Sequence, residues 1–469
     1  MRQTFRQHLL GVALLAPAVT APSLTAAQTA ICRADAAPCC RSPVRHTSVK
    51  PTAPSFGVHI WPATLTQAYA IERLVAMRPR HLRFALGPNW RHQPALHAEM
   101  TDLQLDASIA AAFAERNLPI EISVLQNLQQ KTQAKLHLVI WEPPPLPLEA
   151  HKREPGSAGR RLQSPDVAIS ARFLVAVLKH IAAHGLQLDA VELSNEPDGG
   201  WNIRIEPTDY LALVKEVKKQ AKRRAVLLPK IYGPATSSLA ALRNYLRDPK
   251  IGQTILDNID VLSVHGWDNP RRRDRFLELD ALFEDLKRLG RRPELALTEY
   301  GLARPEPADS SDRMNVKMRT PDNVANTSFF GSLSARDLLR FYAKGVGTII
   351  HWEFRDESWG KASFGLLDEK SNERPIYQMM RTISQHLASD WPKRIDPTTV
   401  DNLFVAYRPG RKVLWSSNPT DRAMAVVFAN GTRPVGRLAT GLLPCRGKKG
   451  AVGFTAPPWS LISTLIQIP

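Results

Sequence analysis

From residue 56 to about residue 390 the chain alternates short β-rich apolar runs with amphipathic helical stretches. No other feature restricts the fold as much. Parallel strands cannot be joined by tight turns and need long crossovers, which helices supply, so this alternation implies a parallel sheet covered by helices. FGVHIW at 56–61 and HLRFAL at 81–86 open the series of strands. AVELSN at 190–195, KIYGPA at 230–235, DVLSVHGW at 260–267, ELALTEY at 294–300 and GTIIHWEF at 347–354 continue it. The interval 87–189 has room for one more, and two segments compete for it, PIEISVL at 119–125 and LHLVIW at 136–141. The second is preferred, because Ile120, Val124, Leu125 and Leu128 also fit one face of a helix. Eight strands then make a (β/α)8 TIM barrel the economical architecture.

Helix signals fall between these runs. Ser164-Pro165 marks a start, and Phe173, Leu174, Val177, Leu178 and Ile181 repeat at helical spacing up to Gly185. Leu282, Phe283, Leu286 and Leu289 precede Gly290 in the same way, as Leu338, Leu339, Phe341 and Tyr342 precede Gly345. The barrel is expected over residues 56–392. Beyond it helical periodicity disappears, and runs such as LFVAY, KVLWSS, MAVVFA and LISTLIQI alternate with Gly, Pro and Asn turns. A C-terminal β-sandwich is expected over 393–469.

The other end reads differently. Arg2 and Arg6 precede the apolar run HLLGVALLAPAV and then small residues, the three-part pattern of a secretory signal peptide over 1–27 with cleavage near Ala27. That run falls short of the ~20 apolar residues of a membrane span, and no later segment reaches that length. The expectation is a secreted or periplasmic protein with no membrane span, and a Pro/Ser/Thr-rich lead-in over 28–55. Export permits disulfides among Cys32, Cys39, Cys40 and Cys445, with three pairings open. Their spacing matches no zinc site, and no metal or cofactor is implied.

Lys and Arg total 62 against 44 Asp and Glu, a formal charge of +18. The basic clusters KKQAKRR at 218–224, RRRDR at 271–275 and RGKK at 446–449 fit solvated helix faces and loop edges. As a partner they favour an acidic polysaccharide over nucleic acid, for which no recognition module is visible.

Chemistry is concentrated where strands end. In a (β/α)8 barrel the C-terminal strand ends form the mouth that holds the active site. Asn195 and Glu196 close the fourth run, and Glu299 closes the seventh. These two glutamates lie roughly three βα units apart, at about 31 residues per unit, which sets them across the mouth from each other. Two facing carboxylates suit glycosidic bond cleavage, one as proton donor and one at the anomeric carbon, with surroundings that push their pKa values apart. Arg83 at the second strand end can keep one carboxylate ionised, Asn195 can bind a sugar hydroxyl, and His265 ends the sixth strand. Trp352 at the eighth offers a flat apolar face to a sugar ring. Trp201 and Trp267 are the expected further platforms.

NEP at 195–197 and TEYG at 298–301, each at a strand end, resemble clan A of the retaining glycoside hydrolases over roughly residues 56–390. The resemblance implies Glu196 as acid/base and Glu299 as nucleophile, with Arg83, Asn195, His265 and Trp352 at the supporting positions. IWEPPP at 140–145 is similar to a Trp- and Pro-rich segment after the third strand of some members. One position departs: many members carry a tyrosine two residues after the strand-six histidine, touching the nucleophile, and here it is Trp267. Tyr232 or Tyr300 is expected to supply that hydroxyl, unless the nucleophile is tuned in another way.

The leading expectation is an exported retaining glycosidase acting on β-linked polysaccharide or oligosaccharide. Two others remain open at this point. One is a glycan-binding protein on the same barrel that does not cut, and the other is a basic envelope adhesin. Glu196 could also merely cap a helix, Glu299 could be a structural acid paired with Arg83, and His59 and His265 could be packing residues. Asp198 could bind a hydroxyl or shape its own loop.

Overall fold

The computed structural model describes residues 28–31, 49–50, 52–65, 68–86, 96–115, 118–141, 160–199, 203–268, 274–302, 322–357 and 363–388, and strands between 394 and 467. Eight parallel strands close into a barrel: β1 (Ser55–Ile60), β2 (His81–Ala85), β3 (Lys135–Val139), β4 (Ala190–Glu192), β5 (Lys230–Thr236), β6 (Val261–Asp268), β7 (Leu295–Leu302) and β8 (Thr348–His351). The ring is sealed where Thr348 pairs with Ser55 and His351 with Val58. The third strand is the one preferred from sequence. Its competitor lies in the helix Leu118–Thr132, which buries Leu125 and Leu128 as expected but turns Ile122 inward in place of Ile120, which is exposed.

Helices fill the crossovers and turn apolar stripes toward the barrel. Val167–Ala183 follows a single 3-10 turn at Ser164–Asp166 and buries Phe173, Leu174, Val177, Leu178 and Ile181, each worth about 1.5–3 kcal/mol once removed from water. Side chains close several helix starts. Asp248 accepts the backbone N–H groups of Lys250 and Ile251, and Thr327 accepts that of Phe330. Among the described residues no helix is long and apolar enough to cross a membrane.

After the last barrel helix, Pro375–Ala388, the chain pairs into two further sheets. Arg394–Pro397, Leu403–Arg408, Arg411–Asn418, Ser460–Gln467 and Arg433–Pro434 form one, in that order and antiparallel. Met424–Val427, Val452–Ala456 and Pro444–Arg446 form the other. Gln28–Ile31 joins Met424–Val427 in parallel as its edge, so part of the N-terminal lead-in is a strand of this sheet. The segment read as a signal peptide, Cys32, Cys39, Cys40 and the side chain of Cys445 lie outside the described residues.

Candidate active site

The strand register places the site residues. His59 on β1 pairs with Arg83 on β2, and His265 on β6 pairs with Glu299 on β7. A register shift between Leu297 and Glu299 works as a bulge and re-aims the glutamate toward the barrel axis. The result is a polar cluster at the C-terminal strand ends, on top of an apolar core.

Arg83 organises it. The side chain is fully buried and donates to three neighbours: to Glu192 Oε2 from Nε and Nη2 at 2.9 and 2.7 Å, to Glu299 Oε1 at 2.8 Å, and to Asn195 Oδ1 at 3.0 Å. Nη1 also lies 3.3 Å from His59 Nδ1. A guanidinium has no acceptor, so that ring nitrogen must be the unprotonated one. Burial, reinforced by Arg83, holds the His59 pKa well below the ordinary imidazole value, and the ring is neutral. Burial alone would raise the Glu192 carboxyl. Arg83, His137, His265 and a Thr298 hydrogen bond together outweigh it and keep that carboxyl below its usual range.

Glu299 receives two more contacts on its other oxygen. The Trp267 indole N–H donates to Oε2 at 3.1 Å, and His265 Nδ1 lies 3.3 Å from the same atom. Burial is the largest influence on Glu299 and sets its pKa above the ordinary carboxylate value. His265, Arg83 and the Trp267 bond pull the other way. His265 Nδ1–H donates to Glu196 Oε1 at 2.7 Å, so one ring edge faces both acids. Burial opposes a charge on this imidazole, but Glu299 and Glu196 overcome it and raise its pKa. One oxygen of each glutamate and a ring nitrogen of His265 all lie within 4.8 Å of one another. Three such donors could hold a divalent ion. The guanidinium already bonded to Glu299 makes a second positive charge there unfavourable.

Glu196 adopts a left-handed backbone, with φ 47°, and its N–H donates to the Ala235 carbonyl at 3.0 Å. A non-glycine residue held there costs on the order of 1–3 kcal/mol, a cost concentrated in proteins at functional positions. Asp198, two residues on, accepts from Ser237 through both backbone and hydroxyl at 2.7 and 2.5 Å. It ties the loop after β4 to the end of β5.

Rings line one side. Trp141 and Trp352 stack at 5.2 Å and 19°, and His59 lies 4.1 Å from Trp352. Trp61, just past β1, stands edge-on to both tryptophans. The Trp352–Glu353 peptide is cis.

Sequence reasoning and structure part company at the aromatic positions. Tyr232 lies only two residues into β5, at the opposite end of the barrel, beside His137 and in a cavity lined by Arg80, His81 and Lys135. It is not a neighbour of the mouth. The Tyr300 hydroxyl donates outward to the Ser334 carbonyl. Neither tyrosine supplies the expected hydroxyl; the Trp267 N–H donates to Glu299 instead. Trp267 is therefore bonded to a carboxylate, with its ring against Phe364 at 5.3 Å, and is not a free platform. Trp201 lies outside the described residues. Glu192, Trp61 and Glu353 were missed. Glu192 carries the one available signal, an acid in the middle of an otherwise apolar run.

No protein-family model matches the chain, and no curated protein matches it. Solved structures do. A xylanase of glycoside hydrolase family 30 subfamily 8 from Clostridium acetobutylicum superposes with a TM-score of 0.59 at 14% identity, over 89% of this chain and 96% of that one. An endo-β-1,6-glucanase gives 0.58 at 12% identity, over 89% and 92%. A family 39 β-xylosidase from Caulobacter crescentus gives 0.54 at 14% identity, over 90% and 97%. At these identities the likeness is one of fold. The chain has the eight-stranded parallel barrel of these glycoside hydrolases.

Proposed function

We propose that this protein is a retaining glycoside hydrolase cleaving β-glycosidic bonds of a polysaccharide or oligosaccharide by double displacement. The observation that carries the reading is the pair of glutamates at the barrel mouth, with oxygens within 4.8 Å and a shared histidine. Retaining enzymes hold their two carboxyl groups about 5–5.5 Å apart, whereas inverting enzymes leave about 6.5–9.5 Å for a water molecule.

Roles follow from the surroundings. Glu299 attacks the anomeric carbon, and the bond from that carbon to the leaving oxygen breaks as Glu196 gives the oxygen a proton. Glu196 then takes a proton from water, whose oxygen displaces Glu299 and releases the sugar. Burial leaves the Glu299 pKa above the ordinary carboxylate value, and Arg83, His265 and the Trp267 N–H, all directed at its carboxylate, are what support its reading as the nucleophile. Glu196 is the more exposed of the two, where a leaving group can reach it. In this reading Asn195, bonded to Arg83, binds a hydroxyl on the reacting ring and Trp352, stacked on Trp141, lies beneath it.

Export, a C-terminal pair of sheets stacked as a sandwich, and a preference for acidic glycans suggested by the +18 charge belong to the same proposal. The test is proton NMR of the first product formed from a β-linked glycan. A β-anomer appearing before mutarotation supports the reading. An α-anomer, or no turnover on any β-glycan, overturns it.

A further inference from the structure

Glu353 follows Trp352 beyond the end of β8, and no step of the proposed hydrolysis uses it. Its side chain is buried, 1% exposed, yet it forms no ion pair among the described residues. The charged groups facing it are the acids Asp356 and Glu357. The nearby arginines are engaged elsewhere, Arg374 with Asp356 at 2.6 Å and Arg355 with Glu357 at 3.2 Å. What Glu353 does hold is an indole. Its Oε2 accepts the Trp61 Nε1–H at 2.7 Å, and its Oε1 accepts the Glu357 backbone N–H at 3.3 Å.

The two partners lie 292 residues apart and meet only because β8 and β1 close the barrel. Trp61 is half-buried at the mouth. Its ring stands at 88° to Trp352, 5.8 Å away, and at 69° to Trp141, 5.9 Å away. Trp141 and Trp352 lie nearly parallel, so Trp61 makes an upright wall against a flat pair. A sugar ring set in such a corner meets apolar surface on two sides. An indole can turn about two side-chain bonds, and the Glu353 carboxyl fixes this one in the upright position.

We propose that Glu353 is a positioning residue: by pinning Trp61 against the Trp141–Trp352 pair, it builds the corner that grips one sugar ring of the substrate. The inference rests on the glycosidase reading. Burial, opposed by the Trp61 bond, raises the Glu353 carboxyl from 4.5 to about 8, so the acid is neutral at neutral pH. It therefore holds the indole as a neutral group. The raised value has a sign for stability. Between the unfolded value and about 8 the folded chain keeps a proton that the unfolded chain releases, so stability falls as pH rises through that window.

Three variants test this, Glu353→Ala, Glu353→Gln and Trp61→Phe, with 4-nitrophenyl β-xyloside and β-glucoside as probes. Losing the wall is expected to raise KM about 10-fold in Glu353→Ala while kcat stays within about 3-fold. The Gln oxygen can still accept the indole N–H, so Glu353→Gln keeps the wild-type KM. Trp61→Phe behaves like Glu353→Ala, and combining the two adds nothing further. An unchanged KM in Glu353→Ala, a fall in kcat alone, or a Gln variant as impaired as Ala overturns the proposal.

A second readout needs no substrate. The melting temperature of the wild type should fall relative to Glu353→Gln as pH rises from 5 to 8, and the Trp61 indole N–H resonance should move in Glu353→Ala. An unmoved resonance refutes the pinning itself, and a constant difference in melting temperature refutes the raised Glu353 carboxyl. A wild type inactive on every β-glycoside refutes the glycosidase reading instead, and the second readout then decides whether Glu353 holds Trp61.

Discussion

Replacing Trp267 by Phe removes one hydrogen-bond donor from the proposed nucleophile and leaves an aromatic ring beside Phe364. The indole N–H lies 3.1 Å from Glu299 Oε2, while Arg83 holds Oε1 at 2.8 Å and His265 stays 3.3 Å from Oε2. A hydrogen bond to a charged group contributes about 1.5–3 kcal/mol. With the cationic Arg83 and His265 remaining, the lower half of that range applies. The bond favours the ionised carboxylate over the neutral acid, and about 1.4 kcal/mol corresponds to one pKa unit, so its loss should raise the Glu299 pKa by about one unit. Glu299 must be ionised to attack, so activity rises with pH through its pKa. The acidic limb of kcat/KM should therefore move upward by about one pH unit in Trp267→Phe. The plateau above it should change by less than about 10-fold, because the attacking carboxylate gives up its charge in the transition state and the bond weakens there too. The assay is a pH profile from 4 to 9 on an aryl β-glycoside, with a melting curve to confirm that the variant is folded. An acidic limb that does not move, in a folded and active variant, would refute the role given to Trp267.

Gly301→Ala should act through the same bond, since a Cβ at Gly301 would lie 2.3 Å from Trp267 Cζ3 and push the indole away from Glu299; its pH profile should shift in the same direction as that of Trp267→Phe. Glu196→Gln should lower kcat/KM by about 10²–10⁴ on substrates with poor leaving groups and far less on activated aryl glycosides, with azide restoring turnover; equal losses on both would argue against an acid/base role. Glu192→Leu leaves the buried Arg83 with half its counter-charge and should cost about 3–5 kcal/mol in urea unfolding, against a negligible loss if the pair were dispensable.

Much of the barrel was legible because each strand is an apolar run that ends in chemistry, and because helix periodicity in 120–128 removed the one competing segment. Asn195, Glu196, His265 and Glu299 could be found from position alone, since they sit where a parallel strand delivers side chains to the mouth. Tyr232 could not be placed by type. It lies near the start of its strand, and about two residues at ~3.3 Å each decide which end of the barrel a side chain reaches. Trp267 was found as an aromatic, but its role depends on where the indole N–H points, which follows from the β6–β7 register and the bulge before Glu299. Glu192 was hidden inside the fourth run, where an acid is tolerable only because Arg83 comes from another strand to meet it. Trp61 and Glu353 carry no shared signal, because their contact exists only once the ring has closed.

The most direct test of the double-displacement reading is to trap its intermediate. Incubation with a 2-deoxy-2-fluoro β-glycoside carrying an activated leaving group should add one fluorosugar per chain. Digestion and mass spectrometry should then find it as an ester on the peptide containing Glu299, with none on Glu299→Gln. A fluorosugar attached to any other residue, or a wild type that hydrolyses β-glycosides with inversion and never carries the label, would contradict the account.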